Sequence, residues 1–303
     1  MITRKTNLRE AQAELNARKA KASTTTTTNT GLIIPHWNAP FNSTSVVRLL
    51  PDGDESNPLP FVTKFTIALP FAGMINSDND TDQPVTVKVV SPVTFDKKCP
   101  ITEAIKPYWR GGEDEKAVAR TYYRKPTFIY AALAVSLPFA EENVPENPVR
   151  TLHLNRSIHD IVIAYLSNAE VETAPYDMEH GRDLRITKKQ VGQWANYTGS
   201  TFSLKERALS EQELAGIEKF GLRDLSQDLG TAPTDAEITE MYEMYLASLA
   251  GEPFDNAKWG RKYRAYGAGL KNAPATASVS AANPATNTGE LIAGLRVKAQ
   301  VAA

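Results

Sequence analysis

The chain has 303 residues, of which 42% are hydrophobic and 23% are charged, a composition typical of a soluble globular protein. Its 34 Lys and Arg residues nearly balance 35 Asp and Glu residues, and the net charge of -1 excludes a simple polycation. The single cysteine excludes an intrachain disulfide framework and any Cys-rich zinc module. Neither a membrane-length apolar run nor an apolar N-terminal segment occurs, so we expect a cytoplasmic protein without a signal peptide or membrane span.

Residues 1–31 are predicted to form a basic arm on a flexible linker. Residues 1–22 carry six Lys or Arg side chains and two Glu side chains, a net charge of +4. A capping-box spacing followed by apolar residues at helical intervals predicts a short helix over about 8–20. The run from Thr24 to Thr28 shows no periodicity and is typical of a linker.

Residues 32–200 alternate between β-branched runs and turn residues, a pattern that predicts short strands. The predicted strands lie at 44–51, 61–69, 84–92, 122–137, 148–155 and 182–191. One helix interrupts them, because apolar residues repeat at i, i+3, i+4, i+7 and i+8 from Ile158 to Leu166. Several short strands with one inserted helix favour a small β-barrel.

The remainder of the chain is predicted to contain acidic helices, a basic segment and a tail. Residues 206–255 carry 12 acidic and 3 basic side chains, and Ser210 and Thr234 each begin a capping box. Residues 256–271 carry five cations and no acidic side chain. Residues 272–303 are rich in Ala, Thr, Ser and Asn, and we expect most of them to be disordered.

The sequence contains no constellation of catalytic residues. A phosphate-binding glycine-rich loop, an HExxH motif and a GxSxG motif are all missing, and the four His residues are scattered. His180, beside Asp177 and Glu179, is the nearest to a general base, but a solvated surface position explains it better. We therefore predict that the protein is not an enzyme.

Three stretches combine cationic and aromatic side chains, the pairing that single-stranded nucleic acid requires. Cations neutralise phosphates, and aromatic rings stack on unpaired bases. The stretches contain Arg120, Tyr122, Tyr123, Arg124, Lys125, Phe128 and Tyr130; then Arg182, Arg185, Lys188, Lys189, Trp194 and Tyr197; and finally the segment 258–266. Strands that alternate core rings with solvated cations would give the same pattern, and RNA would use the same chemistry.

The order of these segments resembles the single-stranded DNA-binding protein of large lytic tailed phages, the helix-destabilising replication protein family. The resemblance runs from residue 1 to about residue 250 and rests on VVRLLPDGDESNPLPF, YYRKPTFIYAALAV, PENPVRTLHLNRSIHDIVIAYL and VGQWANYTGSTF. It implies an OB-fold core with added helices over 32–255, and leaves 256–303 as a basic, aromatic segment and flexible tail. It also implies sequence-independent, cooperative DNA binding in replication, recombination and repair, at replicating phage DNA in the host cytoplasm.

The resemblance also implies residue roles. Arg124 and Lys125 match phosphate contacts, and Phe128, Trp194 and Tyr197 match rings that stack on bases or line the cleft. Tyr122, Tyr123 and Tyr130 are near matches. We add the cations Arg48, Arg156, Arg182, Arg185, Lys188 and Lys189 to this predicted DNA site. The N-terminal arm is expected to engage a neighbouring copy through Arg4, Lys5, Thr6 and Arg9.

Two features depart from the family pattern. The family's structural zinc is held by one His and three Cys, whereas only Cys99 matches here and Thr102 replaces the second Cys. We therefore expect no zinc and no other cofactor, with Ile101, Ile105, Tyr108 and Trp109 filling that region by apolar packing. The family's acidic tail is also missing, and the segment GELIAGLRVKAQ is either a docking helix or a frayed apolar end.

The expected partners are single-stranded DNA, further copies of the protein, and phage replication or recombination proteins, with no membrane partner. A different class of protein stays open as an alternative. A virion structural or scaffold protein with a β-rich core would also carry Ala- and Thr-rich termini. Cations and rings that converge on one cleft would favour DNA binding, whereas scattered cations on broad flat faces would favour a shell protein.

Overall fold

A computed structural model describes residues 32–142, 144–267 and 270 of the chain. The predicted arm with Arg4, Lys5, Thr6 and Arg9 lies outside the described residues, as does the whole predicted tail over 272–303 with its segment GELIAGLRVKAQ. The described strands are β1 (Ser43–Leu50), β2 (Phe61–Phe71), β3 (Met74–Ile75), β4 (Val85–Val90), β5 (Lys125–Ser136), β6 (Arg150–Leu154), β7 (Leu184–Val191), β8 (Trp194–Asn196), β9 (Thr201–Phe202), β10 (Phe254–Asp255) and β11 (Ala265–Tyr266).

Strand β5 is the centre of a nine-stranded antiparallel sheet. Strand β6 pairs with one edge of β5, so β1 and β2 must share the opposite edge. They lie on it end to end, with Leu50 opposite Ala131 and Phe61 opposite Tyr130. Beyond β1, the sheet continues through β7, which pairs with both β8 and β9.

The expectation of a closed barrel is wrong for the described strands. Strand β2 pairs with β5 over its first half and with β4 over its second half, and β11 extends β4. The sheet therefore runs away from β5 over a second core instead of returning to β7, and it ends at β11 on one side and β8 on the other. The result is a large open antiparallel sheet with several helices.

The described helices are α1 (Pro100–Ile105), α2 (Glu113–Tyr122), α3 (Arg156–Leu166), α4 (Glu211–Phe220), α5 (Ser226–Leu229), α6 (Asp235–Leu249) and α7 (Asn256–Trp259). Both predicted capping boxes are present, because the Ser210 and Thr234 hydroxyls accept the backbone N–H groups of Glu213 and Glu237. None of these helices has both the length and the apolar character needed to cross a membrane.

Helix α2 corrects the predicted strand over 122–137, which begins only at Lys125. Three acidic residues occupy the first turn of α2, where they face its positive end, and Arg120 lies in the last turn. Val118, Ala119 and Tyr122 are buried at helical spacing. Tyr122 therefore belongs to a helix, and it does not share a strand face with Phe128 and Tyr130.

The sheet carries two main hydrophobic cores, one on its β2–β4 part and one on its β5–β1–β7 part. The first core joins the far half of β2 and β4 to α1, α2 and α6, and it includes Cys99, Ile101, Ile105, Phe254 and Trp259. The second core packs α3 against one face of β5, β1 and β7. As expected, Ile101, Ile105 and Tyr108 fill the region around Cys99, but Trp109 remains 38% exposed.

Candidate nucleic-acid interface

The β2/β5 face is a row of side chains that passes from the first core to the second. Along β2, Phe61, Thr63 and Phe65 point to one side of the sheet because side chains alternate along a strand. The register places Tyr130, Phe128 and Pro126 directly opposite them, so these residues share that side. We define the β2/β5 face as these six residues together with Trp109, Tyr123, Arg124 and His159.

Arg124 lies between two aromatic rings at one end of the β2/β5 face. Its guanidinium carbon is 5.2 Å from the ring centroid of Phe65 and 5.7 Å from that of Tyr123. Tyr123 in turn contacts Trp109 edge to face, with ring centroids 5.7 Å apart. The rings orient the guanidinium without neutralising it, since cation–π contacts leave the N–H donors free.

The rings at this end are accessible, and the cations there are unpaired. Tyr123 is 43% exposed and Trp109 is 38% exposed. Neither Arg124 nor Lys125 forms an ion pair with a carboxylate of the described residues. Two exposed rings beside the uncompensated Arg124 can accept stacked bases and a phosphate together. Lys125 begins β5 at the same end, but strand alternation turns its side chain to the other side of the sheet from Pro126 and Phe128.

The other end of the β2/β5 face is closed by packing. The rings of Phe128 and His159 stack with centroids 3.4 Å apart, and the Tyr130 hydroxyl lies 2.8 Å from His159 Nδ1. Burial lowers the pKa of His159 to about 4, so the imidazole is neutral near pH 7. Phe128 and Tyr130 are buried, which argues against direct base stacking by either ring.

A second accessible group lies on the β7–β8 hairpin, whose turn contains Gly192 in the left-handed region at φ 60°. Trp194 lies opposite Val191, and both side chains are exposed. By strand alternation, Arg185 and Lys189 share their side of the hairpin. We call these four residues the hairpin face. Its two cations form no ion pair with the carboxylates described in the structure.

The hairpin face and the β2/β5 face leave opposite sides of the sheet. Leu184 and Ile186 belong to the second core together with Phe128 and Tyr130, so Arg185 and Lys189 must point the other way. Tyr197 also points into the second core, edge to face with His36, and its burial raises the pKa of its hydroxyl. The predicted site residues are therefore divided between two surfaces.

Four predicted cations already have partners. Arg48 is fully buried, where it pairs with Asp183 at 3.3 Å and donates to the Arg207 carbonyl. Arg182 pairs with Glu206, and the exposed Arg156 pairs with Asp160 one turn along α3. Lys188 donates to the carbonyls of residues 37 and 39, and desolvation lowers its pKa. Burial argues strongly against a phosphate contact by Arg48.

Tyr122 and the segment 258–266 are also committed to packing. The Tyr122 hydroxyl is 3.1 Å from the Ser248 hydroxyl inside the first core, which argues against a role in DNA stacking. Trp259 is buried in the same core. Lys258 pairs with Glu243 at 3.0 Å, and Lys262 pairs with Glu240 at 2.7 Å, so two of this segment's cations neutralise the acidic helix α6.

Sequence reasoning missed several accessible rings. Phe65 appeared only as part of a β-branched run, although its alternation with Phe61 marks one strand face. Trp109 was expected in the core. Trp37 and Phe41 are exposed before and at the turn into β1, and Lys188 lies 4.9 Å over the Phe41 ring. No local pattern indicated them, because their exposure depends on the pairing of β1 with β7.

The residues around Cys99 do not fit a tetrahedral zinc site. Its side chain is buried among Ile101, Ile105 and other apolar groups of the first core. Among the described residues, no group of three His, Cys, Asp or Glu side chains is arranged to hold a metal ion. A structural zinc site needs four such ligands in a tetrahedral arrangement.

An open antiparallel sheet that carries unpaired cations beside accessible rings defines a nucleic-acid-binding surface. A family described as gp32 DNA binding protein like matches residues 41–219, which contain both faces. The chain belongs to this family, and the resemblance to phage helix-destabilising, single-stranded DNA-binding proteins is confirmed. No curated protein matches the chain.

Proposed function

We propose that this protein coats single-stranded DNA cooperatively and without sequence preference, and protects it during phage DNA replication, recombination and repair. The observation that carries the proposal is Arg124, which lies between the rings of Phe65 and Tyr123, beside the exposed Trp109, and has no carboxylate partner among the described residues. The protein acts without catalysis or a cofactor, at replicating DNA in the host cytoplasm.

The geometry favours single strands over duplex. Flat rings such as Tyr123 and Trp109 can stack only on bases whose faces are exposed, and duplex DNA hides those faces. Stacking and phosphate contacts use features that every nucleotide shares, so binding should depend little on sequence. In this proposal the β2/β5 face is the cleft of an OB-fold-like core, with α3 closing one end and the first core forming the other wall.

The hairpin face extends the proposed path or contacts a neighbouring copy. Because Trp194, Arg185 and Lys189 lie on the opposite side of the sheet, a strand must pass around β8 to reach both faces. We propose that DNA leaving the β2/β5 face reaches Trp194 in this way. The arm over residues 1–22, with Arg4, Lys5, Thr6 and Arg9, is proposed to reach the next subunit and make binding cooperative.

The test is a fluorescence titration of the full-length protein with poly(dT) at several salt concentrations. Arg124→Ala should weaken binding to all sequences alike, and it should reduce the slope of log K against log salt by about 0.7–1. Lys219→Ala is the control, because Lys219 is an exposed cation on α4, outside both faces, and it pairs with Glu146. An unchanged slope in the Arg124→Ala/Lys125→Ala double variant would remove these residues from the phosphate contacts.

A further inference from the structure

A groove lies along the last two turns of α6, on a part of the chain that neither the β2/β5 face nor the hairpin face uses. It has a volume of about 490 Å³ and is lined by the apolar residues Leu246, Ala247, Ala250 and Trp259 and by the charged residues Glu243, Glu252 and Lys258. Leu246 is 47% exposed. Leu246 therefore gives the groove an accessible apolar side chain that another segment can cover.

The chain's own C-terminal segment continues from the first core, which also contributes Trp259 to the groove. Leu270, the last described residue, packs against the same first core that contains Trp259. From there, 19 residues separate it from Glu290, and a coil of that length has a root-mean-square span of about 22–26 Å. A segment tethered at this distance has a high effective concentration at the groove, which a free partner would lack.

The end of the chain also has matching chemistry. Leu291, Ile292 and Leu295 fall at i, i+1 and i+4, the spacing of an apolar helix stripe. Arg296 and Lys298 follow, opposite in charge to Glu252 in the groove. Glu252 forms no ion pair with the cations the structure describes, whereas Glu243 pairs with Lys258.

We propose that residues 290–300 of the same chain dock in the α6 groove, with Leu291, Ile292 and Leu295 covering Leu246 and with Arg296 or Lys298 placed against Glu252. This places a C-terminal docking segment on the face built from α6 and α7. The proposal does not depend on DNA binding.

Site-specific cross-linking tests the proposal, because Cys99 is the only cysteine and is buried. In the full-length protein, Leu246→Cys/Ile292→Cys should form a disulfide within one chain under mild oxidation. The control pair Leu204→Cys/Ile292→Cys uses an almost fully exposed position outside the groove, and it should cross-link at least ten-fold more slowly. Equal rates for the two pairs, or disulfides only between chains, would overturn the proposal.

A second measurement avoids engineered cysteines. Deleting residues 289–303 should raise amide hydrogen exchange in 246–259 several-fold, and adding excess peptide of sequence 289–303 should reverse the effect. Leu291→Asp/Leu295→Asp in the intact chain should reproduce the deletion, whereas Thr286→Asp should not. Unchanged exchange in both the deleted and the doubly substituted proteins would show that the groove holds nothing from this tail.

Discussion

At the scale of single residues, exposure and ion pairing separate the predicted DNA contacts. Four cations reach solvent and have no carboxylate partner among the described residues: Arg124, Lys125, Arg185 and Lys189. By contrast, Arg48 is buried, and Arg182 and Arg156 form ion pairs with Glu206 and Asp160. An exposed ion pair contributes little to stability and can be exchanged for a phosphate. We therefore expect Arg156 to contact DNA only when its ion pair with Asp160 opens. Arg48 stabilises the fold and does not contact DNA in this proposal.

Trp194 offers a prediction at this scale. Because its indole is 46% exposed on the β7–β8 hairpin, Trp194→Ala should leave the thermal midpoint almost unchanged. If the ring stacks on a base, the same change should weaken binding to single-stranded DNA by about 1–3 kcal/mol. Binding and unfolding are measured on the same preparation. A lowered midpoint with unchanged affinity per folded molecule would make Trp194 a packing residue.

His159 predicts a pH dependence of stability. Burial lowers its folded-state pKa from 6.5 to about 4, so between these values the unfolded chain binds the extra proton and the folded chain does not. The free energy of unfolding should therefore fall as the pH drops from about 6.5 to about 4. Urea titrations across this range should show a shallower slope in His159→Gln. An equal slope would mean that other groups, such as the similarly buried His153, dominate.

At the scale of elements, the predictable parts are those fixed by local pattern. The β-branched runs indicated β1, β2, β4, β6 and β7, and capping boxes located α4 and α6. The predicted start of β5 at residue 122 was wrong. Tyr122 and Tyr123 have strong strand propensity, but the preceding acidic turn and the helical spacing of apolar residues favour α2. At this position, the burial of Val118 and Tyr122 against the first core outweighs the strand propensity of the two tyrosines.

The division of the site into two faces could not be predicted from the sequence. It depends on the pairing of β1 with β7, which sets whether Lys188 or Lys189 points towards the second core. A shift of one residue in register would exchange them. The partner of Arg48 is equally non-local, since Asp183 lies far along the chain.

The basic arm supports a further prediction. Residues 1–22 carry a net charge of +4 and are joined to the core through a threonine-rich stretch. A tethered contact between neighbours adds effective concentration only when two subunits lie side by side. Deleting residues 1–22 should leave affinity for a short one-site oligonucleotide within several-fold. The same deletion should abolish clustered binding on long strands, as seen by electron microscopy, and persistent clusters would exclude this role.

At the scale of the whole molecule, the first core brings distant segments of the chain together around Cys99, where the family resemblance implies a zinc. Phe254 and Trp259 come from the C-terminal side and pack on Phe71 and on each other. We predict well under one zinc per chain by elemental analysis. A chelator should leave the thermal midpoint unchanged. Stoichiometric zinc would contradict this prediction and would mean that residues outside the described ranges supply ligands.

The pairing of β1 with β7 also sets the order in which the molecule can be built during synthesis. Lys188, the partner of Ser43, is added 145 residues later, which takes roughly 7–29 s at common elongation rates. Throughout that interval the nascent chain presents β1 with one edge unpaired, a template for wrong pairing with other chains. The first core forms completely only after Phe254 and Trp259 have been added to the nascent chain. The second-core part of the sheet can therefore be completed once β9 (Thr201–Phe202) has been synthesised, whereas the first-core part is completed only after β11 (Ala265–Tyr266).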